Sequence, residues 1–338
     1  MRSDKDYYRP LIQIGPAMPP GALAVAGGWG WFTKAEVLSR SRPPEIIGAA
    51  DLPDAVRSAL ITPRAPMVPQ IMGIVNVTPD SFSDGGQFAR TDAAITHARQ
   101  MAQAGAAILD IGGESTRPGS DAVSTKDEIA RILPVITGLR DQGIATPISV
   151  DTRKADVAQA ALAAGADMIN DVSALGYDPD MAQIVATHGA GLCLMHAKGD
   201  PKTMQDDPRY DHVLLDVYDF LEERIAIAAA AGIAPSRISV DPGIGFGKNV
   251  AHNLALLARI GLFHGLGCPI LLGVSRKRFI GTLAGAADPK ARMPGSLAVA
   301  LAGLAQNVQI LRVHDVVETA QAVTLWRAVT SGDTLHDQ

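Results

Sequence analysis

From Gln70 onward the chain repeats one unit: a short apolar run of about four to six residues, then one or two polar residues, then an Ala-rich segment with helical spacing. Eight such runs occur: "IMGIV" from Ile71, "AILDI" from Ala107, "PISV" from Pro147, "DMIN" from Asp167, "LCLM" from Leu192, "RISV" from Arg237, "PILLGV" from Pro269 and "QILRV" from Gln309. Runs of this kind suit parallel strands buried on both faces under a cover of helices. The segments between them, such as Ala93 to Gly105, Ala155 to Gly165 and Val213 to Gly232, end at glycine, the usual helix stop. "QAGAAILDI" from Gln103 and "AAGADMIND" from Ala163 share a helix end, Gly-Ala and a strand, and "HGAGLCLMH" from His188 is a looser third copy. Eight βα units predict a closed (β/α)8 TIM barrel of the α/β class, with an open doubly wound sheet as the alternative.

Aromatic residues make up only 4% of the chain, so Ala, Val, Ile and Leu must fill the core, as buried parallel strands require. Thirty basic residues against 35 acidic ones give a net charge of -5, which excludes a general field for nucleic acid or an anionic membrane. An anionic ligand would need a local cationic cluster. Cys193 and Cys268 lie in apolar runs without metal-type spacing, the usage of a reduced protein with buried thiols. The opening "MRSDKDYYRP" lacks the basic-then-apolar order of a signal peptide, and no apolar stretch reaches the ~18 residues of a membrane span. A cytoplasmic location is expected.

Ten of the 22 prolines fall within the first 69 residues, as do Trp29 and Trp31. This shift in composition places an N-terminal extension at residues 1–66, a barrel at 67–332 and a short tail at 333–338. Within the extension, Gly21 to Phe32 has the pattern of a hairpin, and "PDAVRSAL" from Pro53 that of one short helix.

An (β/α)8 barrel carries its site at the C-terminal ends of its strands, where this chain collects polar residues. Asn76 follows the first run; the second contains Asp110 and leads to Glu114, Thr116 and Arg117; the third ends at Asp151. The fourth ends at Asn170 and Asp171, the fifth at His196 and the sixth at Asp241. Arg276 and Lys277 follow the seventh, and Arg312 and His314 belong to the eighth. Any one of these could merely cap a helix or close a turn. Together they form two chemically different ends. Asp151, Asn170, Asp241 and Lys277 suit a flat heterocycle with an amino group and a carbonyl, whereas Asn76, Thr116, Arg117, Arg312 and His314 suit a phosphate or pyrophosphate. A bridging Mg²⁺ would be held mostly by phosphate and water, with Asn76 as the protein ligand.

Two loops rich in Gly, Ser and Thr, Asn76 to Thr91 and Gly112 to Lys126, have the length of lids. "GIGFGKN" from Gly243 is not a phosphate loop: its spacing is one residue short and Asn249 replaces the required Ser or Thr. It also lacks the dinucleotide fingerprint, and close approach of backbone to a flat ligand explains its glycines better. His188, His212 and His252 have no paired ligands in sequence, so surface or core roles are expected.

Seven segments, "MGIVNVTPDSFSDGG" (Met72 to Gly86), "LDIGGESTRPGS" (Leu109 to Ser120), "SVDTRK" (Ser149 to Lys154), "INDVSAL" (Ile169 to Leu175), "DPGIGFGKN" (Asp241 to Asn249), "GVSRKRFIG" (Gly273 to Gly281) and "RVHDV" (Arg312 to Val316), closely resemble the dihydropteroate synthase family. The resemblance covers about residues 70 to 330, in order. It implies a transferase of folate synthesis that joins 6-hydroxymethyl-7,8-dihydropterin diphosphate to 4-aminobenzoate, releases pyrophosphate, and is blocked by sulfonamides. It further implies that Asp151, Asn170, Asp241 and Lys277 hydrogen-bond the pterin, with Met195 and Phe246 packed near it. Pyrophosphate and Mg²⁺ would fall to Asn76, Thr116, Arg117, Arg312 and His314. Asp84 and Asp151 would stabilise the pterin cation, and Phe82 and Pro118 would wall the aminobenzoate slot.

Many relatives have Ser where this chain has Arg278, a position that in the family meets the aminobenzoate carboxylate largely through its backbone N–H. The "HAKGDPKTMQ" segment (His196 to Gln205) also departs from the family's common start. A homodimer is the family expectation. The competing readings are a catalytically silent pterin-binding homologue, whose leaving-group residues would have decayed, and a methyltetrahydrofolate corrinoid methyltransferase, which would lack the two lid motifs.

Overall fold

Strands that are apolar on both faces need cover on both, and the fold supplies it with a closed barrel inside a ring of helices. The computed structural model describes residues 5–78, 87–115, 122–199 and 202–332. Ahead of the barrel come Tyr7–Pro10 (β1), Leu23–Ala24 (β2), Trp31–Phe32 (β3), Lys34–Leu38 (β4), Glu45–Gly48 (β5) and the helix Asp54–Ile61 (α1). The alternation then begins with Gln70–Asn76 (β6), Gln87–Gln103 (α2), Ile108–Gly112 (β7), Thr125–Asp141 (α3), Ile148–Asp151 (β8) and Ala155–Ala163 (α4). It continues through Met168–Asp171 (β9), Met181–His188 (α5), Gly191–Met195 (β10), Val213–Ala230 (α6), Ile238–Asp241 (β11) and Val250–Ala258 (α7). Leu271–Leu272 (β12), Arg278–Ala284 (α8), Met293–Leu304 (α9), Ile310–Val313 (β13) and Val316–Ser331 (α10) complete it.

Each of the eight apolar runs is a strand. They pair in parallel in the order β11-β10-β9-β8-β7-β6-β13-β12. A bridge between Val240 and Ile270, with Val240 N donating to Pro269 O at 2.9 Å, joins β11 to β12 and closes the cylinder. Closure removes both sheet edges and with them the doubly wound alternative. The glycine stops behave as sequence requires: Gly105 and Gly165 end their helices at φ +100 and +104, where a Cβ would be strained.

Side chains alternate between the lumen and the helix layer, and the packing separates the two sets. Met72, Ile108, Cys193, Leu271 and Ile310 come from five strands yet form a cluster of their own, apart from the large core that joins strands to helices. They therefore mark the lumen face. Two or four residues further along the same strands lie Asn76, Asp110, Met195 and Arg312, and the register sets Asp151 beside Asn170 and Met195 beside Asp241. Period two thus turns the candidate residues into the mouth of the barrel.

The N-terminal strands form an antiparallel sheet in the order β1-β4-β5, and β2 pairs with β3 as a hairpin. Val25, Phe32, Ala35, Leu52 and Leu60 make a small core of their own, while Tyr7 and Leu38 join the main one. Polar contacts pin this piece to the barrel. Trp29 Nε1 donates to Leu304 O at 2.8 Å, Tyr7 Oη donates to Asp219 at 2.8 Å, and Arg40 reaches Asp216 and Asp219 at 2.8 and 2.7 Å. Asn307, buried in the turn that leads into β13, accepts from Gly30 N at 2.9 Å and donates to Val25 O at 3.1 Å. These anchors lie at the segment entering β13 and on the first turns of α6. Replacing Asn307 with Ala leaves the buried Gly30 N–H unpaired and puts Ala at φ +61, which should lower unfolding free energy by about 2–4 kcal/mol, although Val25 O still accepts from Gly28 N at 2.8 Å. Urea unfolding of N307A measures this, and an unchanged midpoint would contradict the assigned anchor.

Candidate active site

At the mouth of the barrel one guanidinium holds two carboxylates from neighbouring strands. Arg312 Nε donates to Asp110 Oδ2 at 2.6 Å and Nη2 to Asp151 Oδ2 at 2.8 Å. Asn170 Nδ2 lies 3.4 Å from the same Asp110 oxygen. Asp110, Asp151, Asn170 and Asp241 are all buried. The other carboxylate oxygens, Asp110 Oδ1 and Asp151 Oδ1, are buried and have no hydrogen-bond partner among the described residues. Unpaired buried acceptors are costly, so this is a place for donors brought by a ligand.

Asp241 belongs to a second group. Its Oδ1 accepts from Gly243 N at 2.7 Å. Lys277 Nζ donates to Ile244 O and sits 4.7 Å from the centroid of the Phe246 ring. Beside Phe246 opens a cavity of about 500 Å³ whose walls include Arg153, Val172, Tyr177, Met204 and Phe220. Phe246 is shared by this cavity and the Lys277 contact, and an aromatic ring beside an ammonium suits a flat polar heterocycle. Met195 lies buried at the end of β10, next to Asp241 in register.

The charges perturb one another. Burial pushes the Asp151 carboxyl up to about 7; Arg312 opposes this and Asp110, Glu128 and Asp171 add to it. Burial also raises Asp241, against the pull of Lys277. Lys277 is lowered to about 8, chiefly by burial, with Asp241 opposing and Arg312 contributing. Burial disfavours the charge on Arg312, but Asp110 and Asp151 outweigh it and hold the group cationic. Groups shifted towards neutrality in a cleft are a mark of functional sites.

The seventh and eighth strand ends interlock through separate partners. His314 Nδ1 meets Ser275 Oγ at 2.9 Å, and Arg276, at φ +59, pairs with Asp315, its Nε 3.0 Å from Oδ2. Arg278 is exposed on the first turn of α8, and Asn76 is half-buried at the end of β6. Arg312, assigned from sequence to the cationic end, lies among the carboxylates, so one side chain belongs to both ends. Asp84, Phe82, Thr116, Arg117 and Pro118 lie outside the described residues.

Asp171, one residue beyond Asn170, faces the other way by the same period of two. Its carboxylate accepts from Ser173 N at 2.8 Å and Leu175 N at 2.7 Å, a turn-closing role. His212 accepts from Leu215 N, His252 shares a capping box with Asn249, and His188 Nδ1 meets Ile184 O at 3.0 Å, all local structural roles. Both cysteines are buried, with their thiols raised above the ordinary value chiefly by burial.

Three residues matter more than sequence reasoning indicated. Asp110 sits in mid-strand, and its only signal was a carboxylate inside an apolar run. Lys154 Nζ, buried, meets Glu114 Oε2 at 2.8 Å, Glu128 Oε2 at 2.6 Å and Val123 O at 2.7 Å, tying the strand end of β7 to the start of α3. Lys248 is 2% exposed, inside the glycine-rich turn. No local pattern distinguishes either lysine from a surface one.

A model of the family described as "Pterin binding enzyme" matches residues 72–314. The chain is 49% identical over 266 residues to the dihydropteroate synthase of Neisseria meningitidis serogroup B, a match covering 77% of this chain and 93% of the relative. Among solved structures it is similar to Yersinia pestis dihydropteroate synthase in a sulfonamide drug complex, with a TM-score of 0.73 and 46% identity, covering 78% of this chain and 94% of that one. It is likewise similar to Xanthomonas albilineans dihydropteroate synthase with 4-aminobenzoic acid, with a TM-score of 0.72 and 48% identity, covering 78% and 93%.

The raised carboxyl makes a pH prediction. From its ordinary 3.8 up to about 7, the folded protein keeps a proton on Asp151 that the unfolded chain has released. Stability should therefore fall as pH rises through that window. Asp151→Asn has no such proton to lose, so urea unfolding at pH 5 and pH 8 should show a smaller decline for the variant than for the parent. Equal declines would contradict the assignment.

Proposed function

The chain belongs to the pterin binding enzyme family, among the dihydropteroate synthases, and from that premise we propose how its side chains divide the work of the reaction. It is a transferase of folate biosynthesis that joins 6-hydroxymethyl-7,8-dihydropterin diphosphate to 4-aminobenzoate, forming 7,8-dihydropteroate and pyrophosphate. The observation that carries the assignment of roles is the pair of unpartnered buried oxygens, Asp110 Oδ1 and Asp151 Oδ1. A pterin brings ring N–H and amino donors to such acceptors. Asp151, Asn170 and Asp241 take these donors, Lys277 donates to the ring's acceptor side, and Met195 and Phe246 pack on its faces.

The reaction breaks the bond between the pterin methylene and the diphosphate oxygen, whose electrons leave with pyrophosphate. The ring delocalises the resulting positive charge, and the amine lone pair of aminobenzoate then forms the new carbon–nitrogen bond. The amine proton leaves with pyrophosphate or solvent, so no strong protein base is needed. Catalysis is then mainly electrostatic: fixed charges favour separation of cation and anion without reorganising. Asp151 and Asp84 stabilise the cation. Arg117, Arg312 and His314 stabilise the leaving group, with Thr116 beside it, and Arg312 keeps Asp110 and Asp151 in register.

Among the described residues no three His, Cys, Asp or Glu side chains come together as a metal cage. Mg²⁺ ordinarily keeps its waters and takes one or two protein ligands together with substrate phosphate. The half-buried amide of Asn76 is the donor we assign to it. Bound Mg²⁺ would neutralise charge developing on the departing pyrophosphate.

Phe82 and Pro118 are assigned to the aminobenzoate slot, with Arg278 at its carboxylate end. The described helices include none long and apolar enough to cross a membrane. With an acidic balance and buried thiols, this supports a cytoplasmic enzyme. Val317, Leu325 and Val329 leave an exposed apolar stripe on α10 that a homodimer could cover.

Pyrophosphate release should require Mg²⁺ and both substrates together. A purified protein that binds the pterin diphosphate but forms no dihydropteroate would overturn the enzymatic reading. Asn76→Ala should retain affinity for the pterin while losing most turnover, by about 10²-fold if the ion's electrostatic contribution is lost; calorimetry and a single-turnover assay separate the two effects.

A further inference from the structure

The glycine-rich turn after β11 carries a buried lysine whose contacts the reaction does not use. Gly243 and Gly247 adopt φ +68 and +62, and a Cβ on them would lie 1.8 Å from His196 O and 2.2 Å from Lys198 O. The turn therefore presses directly on the backbone of the segment after β10. Lys248 Nζ joins these two backbones. It lies 2.8 Å from His196 Nδ1 and 3.2 Å from His196 O on one side, and 2.9 Å from Gly243 O and 3.0 Å from Phe246 O on the other. Burial, with Lys248 beside it, pushes His196 well below its ordinary pKa, so the ring is neutral and Nδ1 is free to accept.

We infer that Lys248 is a positioning residue for the pterin pocket, a clamp that fixes the Gly243–Phe246 turn against His196. Three pocket residues depend on that turn. Asp241 is oriented by Gly243 N at 2.7 Å, Phe246 is part of it, and Lys277 is tethered to Ile244 O. Its far side is braced too, with Gly245 N donating to Asn253 Oδ1 at 2.8 Å and Tyr210 Oη donating to Gly247 O at 2.8 Å. Among the described residues none of these braces reaches Arg278, the residue assigned to the aminobenzoate carboxylate, so loosening the clamp should act on the pterin and spare the other substrate. Displacements well under an ångström at such groups are enough to change binding and rate.

The inference rests on the pterin reading, and the test separates their failures. Lys248→Met keeps the length and apolar stem while removing the donors. It should raise both the Kd and the KM for the pterin diphosphate by about tenfold or more and leave the KM for 4-aminobenzoate within about twofold. Tyr210→Phe, a milder loosening of the same turn, should raise the pterin KM about two- to threefold with the same selectivity. A folded K248M with unchanged pterin affinity, or with both KM values raised alike, would overturn the clamp. Should K248M fail to fold, an unchanged pterin KM in Y210F would overturn it equally. If the parent protein binds the pterin but makes no product, the enzymatic reading falls, and the Kd comparison still decides the clamp.

Discussion

The site depends on a guanidinium held inside a barrel. Arg312 stands in the lumen between Asp110 and Asp151, where desolvation opposes the charges on Arg312 and Asp151. Removing Arg312 would strand two buried carboxylates, which is why such clusters are costly to break even when they add little net stability. With Asp241 and Lys277 close by, three carboxylates share two cations. The excess is relieved on Asp151, whose carboxyl moves towards neutral pH. A ligand that supplies donors to the unpartnered oxygens would relieve the same imbalance, the role proposed for the pterin.

Stability and chemistry are kept at different places on the barrel. The N-terminal sheet is pinned to the segments that enter β12 and β13, where Asn307, Leu304 and Glu36 make their contacts. The strand C-termini are held by buried lysines instead. Lys154 binds two glutamates and a carbonyl behind β7 and β8, and Lys248 binds carbonyls and a histidine behind β10 and β11. In both cases a buried lysine with several acceptors fixes loops that have little apolar surface of their own. Short glycine turns and polar loops can thus present functional groups with the rigidity of strands.

Much of the barrel was legible because its strands obey a simple burial rule. "LCLM" is apolar throughout, since both faces are covered, "QILRV" is apolar apart from Gln309 and Arg312, and each corresponds to a strand. The sheet β1-β4-β5 was not legible: "YYRP", "KAEVL" and "EIIG" mix exposed and buried positions in strands of four or five residues, too short for a period to stand out. Asp151, Asn170, Asp241, Lys277 and Arg312 could be proposed from their place after apolar runs. That Arg312 lies among the carboxylates could not, because its partners are 202 and 161 residues distant in sequence.

The sequence by itself determined the number of barrel strands, the end of the barrel that carries polar groups, and, through its long motifs, the family. These follow from local rules, since periodicity and a polar residue after an apolar run need only neighbouring positions. Tertiary structure alone decided which acids share a cation, which oxygens remain for a ligand, and why Asp171 caps a turn while Asn170 faces the lumen. It also drew Lys154 and Lys248 inside. Pairing and burial depend on where distant strands meet, and the energy of a charge is set by the company it keeps in the fold.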